Sequence, residues 1–90
     1  MWLQAGDRFD RYGGVFGKFV APIGTAEAMR ALPPGSTDRP YHVYEVVKPF
    51  EVQSGRIAPA FDQIGGGIQF LLPLRIGTLL NSGIIREVEP

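Results

Sequence analysis

The sequence has no cysteine and a single histidine, His42. The first lack excludes a disulfide framework and a thiolate nucleophile; the second excludes an all-protein zinc cluster, so no metal is expected. Charge of one sign is missing too, with nine basic residues set against nine acidic ones. That balance offers no electrostatic pull on nucleic acid, which is not an expected partner. No run approaches the roughly 18 to 20 apolar residues that span a bilayer, so membrane insertion by this domain is not expected. The opening "MWLQAGDRF" carries neither the basic nor the apolar region of a signal peptide. Ninety residues then bound the chain to one domain over 1–90, whose thin core places any site near the surface.

Eight prolines and twelve glycines cut the chain into short pieces, most of which read as strands. In "YHVYEVV", residues 41–47, Tyr41, Val43, Glu45 and Val47 share one face, and His42, Tyr44 and Val46 the other. Shorter strands are expected over 17–22, 50–52 and 84–89, and "IQFLL" at 68–72 reads as a buried one. Thr25 is placed to cap a two-turn helix over 26–32 that Pro33 and Pro34 stop. A second helix is expected in 73–83, opened by Pro73, with Leu74, Ile76, Leu79 and Leu80 as its buried stripe and Gly83 as its stop. The expected fold is α+β: a small twisted, mainly antiparallel sheet with one or two short helices packed on it.

"FDQIGGGIQF" at 61–70 is the most unusual stretch. It matches neither GxxxxGK followed by Ser or Thr nor GxGxxG, and its glycines lead into a strand rather than a helix. They suit a tight connection, or a passage close beside something else. Gln69 alternates with Ile68 and Phe70 in an apolar segment, where an unpartnered amide would cost about 1 to 3 kcal/mol. It must therefore meet backbone, water or a ligand such as a ribose hydroxyl. Gln63 lies on the loop side. Seven of the nine basic residues are arginine, and the planar donor fork of Arg11 or Arg30 suits a pyrophosphate. His42 can serve as a structural hydrogen-bonder or as an acid–base group. The carboxylates are scattered and form no obvious pair for glycosidase chemistry.

Taken in order, "DRYGGVFGKFVAPIGT", "RALPP", "YHVYEVVKPFEVQSGRIAPAF" and "GGGIQFLL" resemble the tuberculosis necrotizing toxin family over nearly the whole chain. The resemblance implies an NAD+ glycohydrolase that acts also on NADP+ in many members, is carried as the C-terminal toxin domain of a larger secreted protein, and is blocked by a cognate immunity protein. It implies site roles for Arg11, Phe19, Arg30, His42 and Gln69. Asp62 and Ile64 stand where the family typically has glycine and proline. The expected reaction splits NAD+ into ADP-ribose and nicotinamide in the cytoplasm of a target cell. NAD+ is its substrate, and no cofactor is expected. Chemically, nicotinamide is already a cationic leaving group, so the site has to position the dinucleotide and stabilise an oxocarbenium-like transition state. Arg11 and Arg30 would hold the pyrophosphate, Phe19 and Tyr12 would stack on a ring, and Gln69 would address the ribose or the attacking water. Two alternatives stay open: ADP-ribosyl transfer to a macromolecule, and a non-catalytic nucleotide-binding or interaction module.

Overall fold

The structure, a computed structural model, describes all residues from Met1 to Pro90. In chain order the elements are β1 (Trp2–Leu3), β2 (Arg8–Tyr12), β3 (Phe19–Pro22), α1 (Glu27–Arg30), a 3-10 turn (Ser36–Asp38), β4 (Tyr41–Val46), β5 (Phe50–Glu51), β6 (Gln53–Arg56), β7 (Ile68–Leu71), α2 (Ile76–Asn81) and β8 (Ile85–Val88). Six strands form one antiparallel sheet in the order β6-β7-β3-β2-β4-β8, and β1 with β5 makes a small second sheet. This is the expected α+β arrangement.

Register assigns each side chain a face. Phe9 opposes Tyr44, Val20 opposes Phe70 and Val46 opposes Ile85, so these six share one side of the sheet. There they join Leu3, Phe50, Val52, Leu72, Ile76 and Leu79 in the hydrophobic core. Each large apolar side chain buried in this way contributes about 1.5 to 3 kcal/mol, which makes this the firmer face of the molecule. The other face carries Asp10, Tyr12, Phe19, Ala21, Tyr41, Gln69 and Leu71, by the pairs Asp10–Val43, Tyr12–Tyr41, Asp10–Ala21, Phe19–Leu71 and Gly55–Gln69.

β4 lies where expected, ending one residue short of Val47. β2 is not marked by sequence pattern, because three of its five residues, Arg8, Asp10 and Arg11, are charged. It is nevertheless an inner strand of the sheet. Residues 68–72 are less buried than expected: Phe70 and Leu72 enter the core, whereas Ile68 is exposed and Gln69 and Leu71 are half-buried.

Both helices depart from expectation at their starts. α1 is a single turn, and Thr25 does not cap it, because its hydroxyl donates to the Pro22 carbonyl at 2.8 Å. Ala31, in the left-handed region at φ 47°, ends the helix two residues before the prolines. α2 begins after Arg75, not at Pro73, and Leu74 lies exposed instead of in the stripe. Its first free amides are taken by the 13–18 loop: Ile76 N–H donates to the Gly17 carbonyl and Gly77 N–H to that of Val15. Gly83, at φ 70°, follows the helix end as expected.

The glycine run answers its own question here. Gly65 and Gly67 donate to the α1 carbonyls of Ala28 and Met29 at 2.9 and 3.1 Å, while Gly66 donates to Ile57 at 2.8 Å. A Cβ on Gly65 would stand 2.7 Å from the Ala58 carbonyl oxygen, and one on Gly67 2.8 Å from that of Met29. The close approach is therefore to protein backbone. The glycines tie α1, and Arg30 with it, to the strand that carries Gln69.

Candidate active site

On the face opposite the core lies a cleft of about 420 Å³, including its open mouth. Asp10, Arg11, Tyr12, Phe19, Arg30 and Gln69 line it, with Leu32 and Ile57 among its apolar walls. Small neighbours make the space. Gln69 is paired with Gly55 on β6, and Ala21 of β3 lines the cleft with it. Gln69 is half-buried, and its amide makes no hydrogen bond within the chain. The amide is free to meet water or a ligand, one of the choices open from the sequence.

Beneath the cleft sits an ion pair that the sequence pattern does not reveal. Asp10 is fully buried on β2, and the Arg30 side chain reaches it from α1 with 6% of its surface exposed. Oδ2 of Asp10 accepts from Arg30 Nη2 at 2.8 Å, Tyr41 Oη at 2.6 Å and the Gly24 amide at 3.1 Å. Oδ1 lies 2.7 Å from Arg30 Nη1, an ionic contact too poorly angled to count as a hydrogen bond. Arg30 Nε donates to the Thr25 carbonyl at 2.8 Å. Burial by itself would lower the Arg30 pKa, but the hydrogen bond to Asp10 and its charge outweigh that and hold it above the ordinary value. Burial, then the hydrogen bond to Asp10 and its charge, push the Tyr41 hydroxyl up to about 12. The Arg30 guanidinium lies 5.3 Å from the Tyr12 ring centroid, and the Tyr12 and Tyr41 rings are 5.0 Å apart. One buried carboxylate therefore fixes two aromatic rings and a guanidinium under the cleft.

Five of the residues expected at a site, Arg11, Tyr12, Phe19, Arg30 and Gln69, are brought to this cleft. The Phe19 ring is half exposed, available for stacking. Arg11 leaves β2 on the core side, and its guanidinium runs into the following loop, where Nε donates to the Gly14 carbonyl at 3.0 Å and Nη1 to that of Phe19 at 2.9 Å. Two expected residues lie elsewhere. His42 pairs with Arg11 across β2 and β4, which puts its ring on the core side of the sheet, beside Tyr44 and 3.0 Å from Glu87 Oε2. Gln63 donates to the Leu32 carbonyl at 2.9 Å and lines a separate depression with Glu27, Pro33 and Thr37. Asp10 and Tyr41 are the residues that sequence reasoning missed. Their signal was a carboxylate in the middle of an otherwise aromatic and basic strand, which requires a cation from elsewhere in the chain.

The family described as tuberculosis necrotizing toxin matches residues 2–88. A conidial surface nicotinamide adenine dinucleotide glycohydrolase, nadA, of Aspergillus fumigatus is 37% identical over 94 residues, which take in 97% of this chain and 40% of that protein. Tuberculosis necrotizing toxin, solved in complex with its immunity factor, superposes with a TM-score of 0.78 at 27% identity, over 91% of this chain and 48% of that one. Rhs1-CT, solved with its cognate immunity protein, has a TM-score of 0.65 at 17% identity, over 100% of this chain and 76% of that one, a likeness of fold alone. The chain spans less than half the length of the Aspergillus protein and of the tuberculosis toxin chain.

Proposed function

The chain belongs to the tuberculosis necrotizing toxin family, and from that membership we propose that it hydrolyses NAD+, and NADP+ as a second substrate, to ADP-ribose and nicotinamide. The observation that carries this reading is the unpartnered Gln69 amide set among small residues in a cleft walled by Tyr12 and Phe19. The nicotinamide ring stacks on Phe19, and its positive charge favours the electron-rich ring face. Cleavage of the bond between the ribose anomeric carbon and the pyridinium nitrogen leaves its electron pair on nitrogen. Nicotinamide departs neutral, and the positive charge moves to the ribose. Water then adds to the anomeric carbon and its proton passes to solvent. The Gln69 amide can donate and accept, which suits it to hold a ribose hydroxyl or to orient that water.

Asp10 is the carboxylate that lines the cleft, yet it is fully buried and bound by Arg30, Tyr41 and Gly24. Its role is to hold the walls, not to attack the sugar. In this reading NAD+ is the substrate and no cofactor takes part. The domain is the C-terminal toxin part of a larger protein, delivered into the cytoplasm of a target cell, and a cognate immunity protein restrains it.

Incubation of the purified protein with NAD+ tests the reading by the nicotinamide released. Stoichiometric loss of NAD+ with free ADP-ribose supports hydrolysis. Label from NAD+ appearing on protein or nucleic acid supports ADP-ribosyl transfer instead, and binding of NAD+ with no turnover supports a nucleotide-binding module. No loss of NAD+ at micromolar protein refutes the proposal.

A further inference from the structure

Both arginines expected to hold the diphosphate spend donors on the chain. Arg30 is taken by Asp10 and Thr25, and Arg11 by the Gly14 and Phe19 carbonyls. The loop from Gly14 to Lys18, which leads into β3 at Phe19, offers a different set of donors. The carbonyls of this loop turn into the protein: Gly14 accepts from Arg11, Val15 from Gly77 N–H at 2.9 Å, Gly17 from Ile76 N–H at 3.2 Å and Lys18 from Leu72 N–H at 2.8 Å. None of the amides of residues 14 to 18 donates a hydrogen bond within the chain. In a trans peptide unit the N–H points opposite to the C=O that precedes it, and the chain has no cis bond. Inward carbonyls at 14, 15 and 17 therefore aim the N–H groups of Val15, Phe16 and Lys18 outward.

Positive charge surrounds these donors. The Arg11 guanidinium packs behind the loop, so close that a Cβ on Gly17 would overlap it and one on Gly13 would stand 3.2 Å away. The Arg75 guanidinium lies 6.0 Å from the exposed Phe16 ring. Neither Arg75 nor Lys18 forms an ion pair, although Glu51 lines the same groove as Lys18. Outward N–H groups backed by fixed cations are the arrangement that binds phosphate oxygens. Resting on the NAD+ reading above, we infer that the 14–18 loop is the diphosphate subsite: the N–H groups of Val15, Phe16 and Lys18 bind the phosphate oxygens, with the Lys18 and Arg75 side chains on either side. The nicotinamide riboside half then reaches over Phe19 to Gln69.

Amide NMR spectra of 15N-labelled protein, titrated separately with ADP-ribose, inorganic pyrophosphate and nicotinamide, test this directly. The Val15, Phe16 and Lys18 amides move with both diphosphates and stay in place with nicotinamide. Lys18→Ala raises the KM for NAD+ and the inhibition constant of ADP-ribose about tenfold, the loss of one charge-assisted hydrogen bond, and leaves the affinity for nicotinamide unchanged. ADP-ribose that binds while these three amides stay still overturns the subsite, as does a Lys18→Ala protein that binds ADP-ribose as tightly as the parent. Pyrophosphate that moves the three amides in a protein unable to hydrolyse NAD+ supports the anion subsite and removes the hydrolase reading instead.

Discussion

Replacement of Asp10 by Asn isolates the electrostatic core of the site. The amide keeps the shape of the carboxylate, and its oxygen can still accept from Tyr41 and Gly24, but the change removes the negative charge and turns an NH2 toward Arg30 Nη1. What it leaves is the Arg30 guanidinium, 6% exposed and without a counter-ion. Removing one partner of a buried pair costs about 3 to 5 kcal/mol, because the remaining charge stays desolvated. A domain of this size has a total stability of roughly 5 to 13 kcal/mol, so the loss is a large share of the whole. At about 4 to 8 °C per kcal/mol for a domain under a hundred residues, Tm falls by roughly 12 to 40 °C. Chemical denaturation followed by circular dichroism measures it. A companion Asp10→Asn/Arg30→Gln protein should recover much of the loss, since no bare charge remains, and the double-mutant cycle gives the coupling. An Asp10→Asn protein within 1 kcal/mol of the parent would refute the claim that this pair anchors the cleft.

Gln69→Ala should fold with unchanged stability, because its amide has no partner in the chain, yet lose about 100-fold or more in NAD+ turnover; a folded variant with full turnover removes Gln69 from the mechanism. Tyr41 gives a pH dependence. Its pKa is raised to about 12 in the fold, so the contribution is fully present below its unfolded value near 10 and is lost as pH climbs through 12. Denaturation at stepped alkaline pH should show a fall over that window that Tyr41→Phe lacks. Phe61 and Asp62, at φ 52° and 59°, form a tight turn between Ala60 and Gln63 in the left-handed region that glycine favours. Asp62→Gly should therefore stabilise the fold by about 1 kcal/mol, read as a raised Tm, and a lowered Tm would refute the strain. Gly67→Ala should destabilise by more than 1 kcal/mol, since the added methyl meets the Met29 carbonyl; unchanged stability would show that the contact relaxes freely.

The parts of the fold legible in the sequence are those whose residues settle their own conformation. β4 alternates apolar and aromatic residues, and its faces follow from period alone. β2 does not: "RFDRY" has the charge of a surface segment, and Arg30, twenty residues beyond Asp10, with Tyr41 and the Gly24 amide, makes Asp10 tolerable inside a sheet. Local pattern carries no record of a partner that distant. The helix starts misread for the same reason. Thr25 is the right residue for a cap, but its hydroxyl is used by the preceding turn, and α2 finds its caps in loop carbonyls instead of in its own sequence. His42 shows the complementary limit. The alternation in β4 correctly groups it with Tyr44 and Val46, and that grouping is what separates it from the face that holds Gln69.

The two faces of the sheet divide the work in a way that a ninety-residue chain requires. Most apolar burial lies on one side, where α2 and β8 complete the core, and the other side, with Val43 and Ala21 as its buried apolar strand residues, is held largely by directed contacts. That division allows the cleft side to keep small residues, Gly55 and Ala21, near Gln69, where a packed core would demand large ones. It also explains the glycine run. α1 is only one turn long and cannot stand alone, so its carbonyls need donors from the segment leading into β7, and only a chain without side chains can come near enough to supply them. The glycines act on the site through Arg30: they fix the turn that carries it, Arg30 fixes Asp10, and Asp10 with Tyr41 fixes the ring of Tyr12 at the edge of the cleft. A change at Gly67 should therefore reach NAD+ turnover along this route, although no atom of Gly67 lines the cleft.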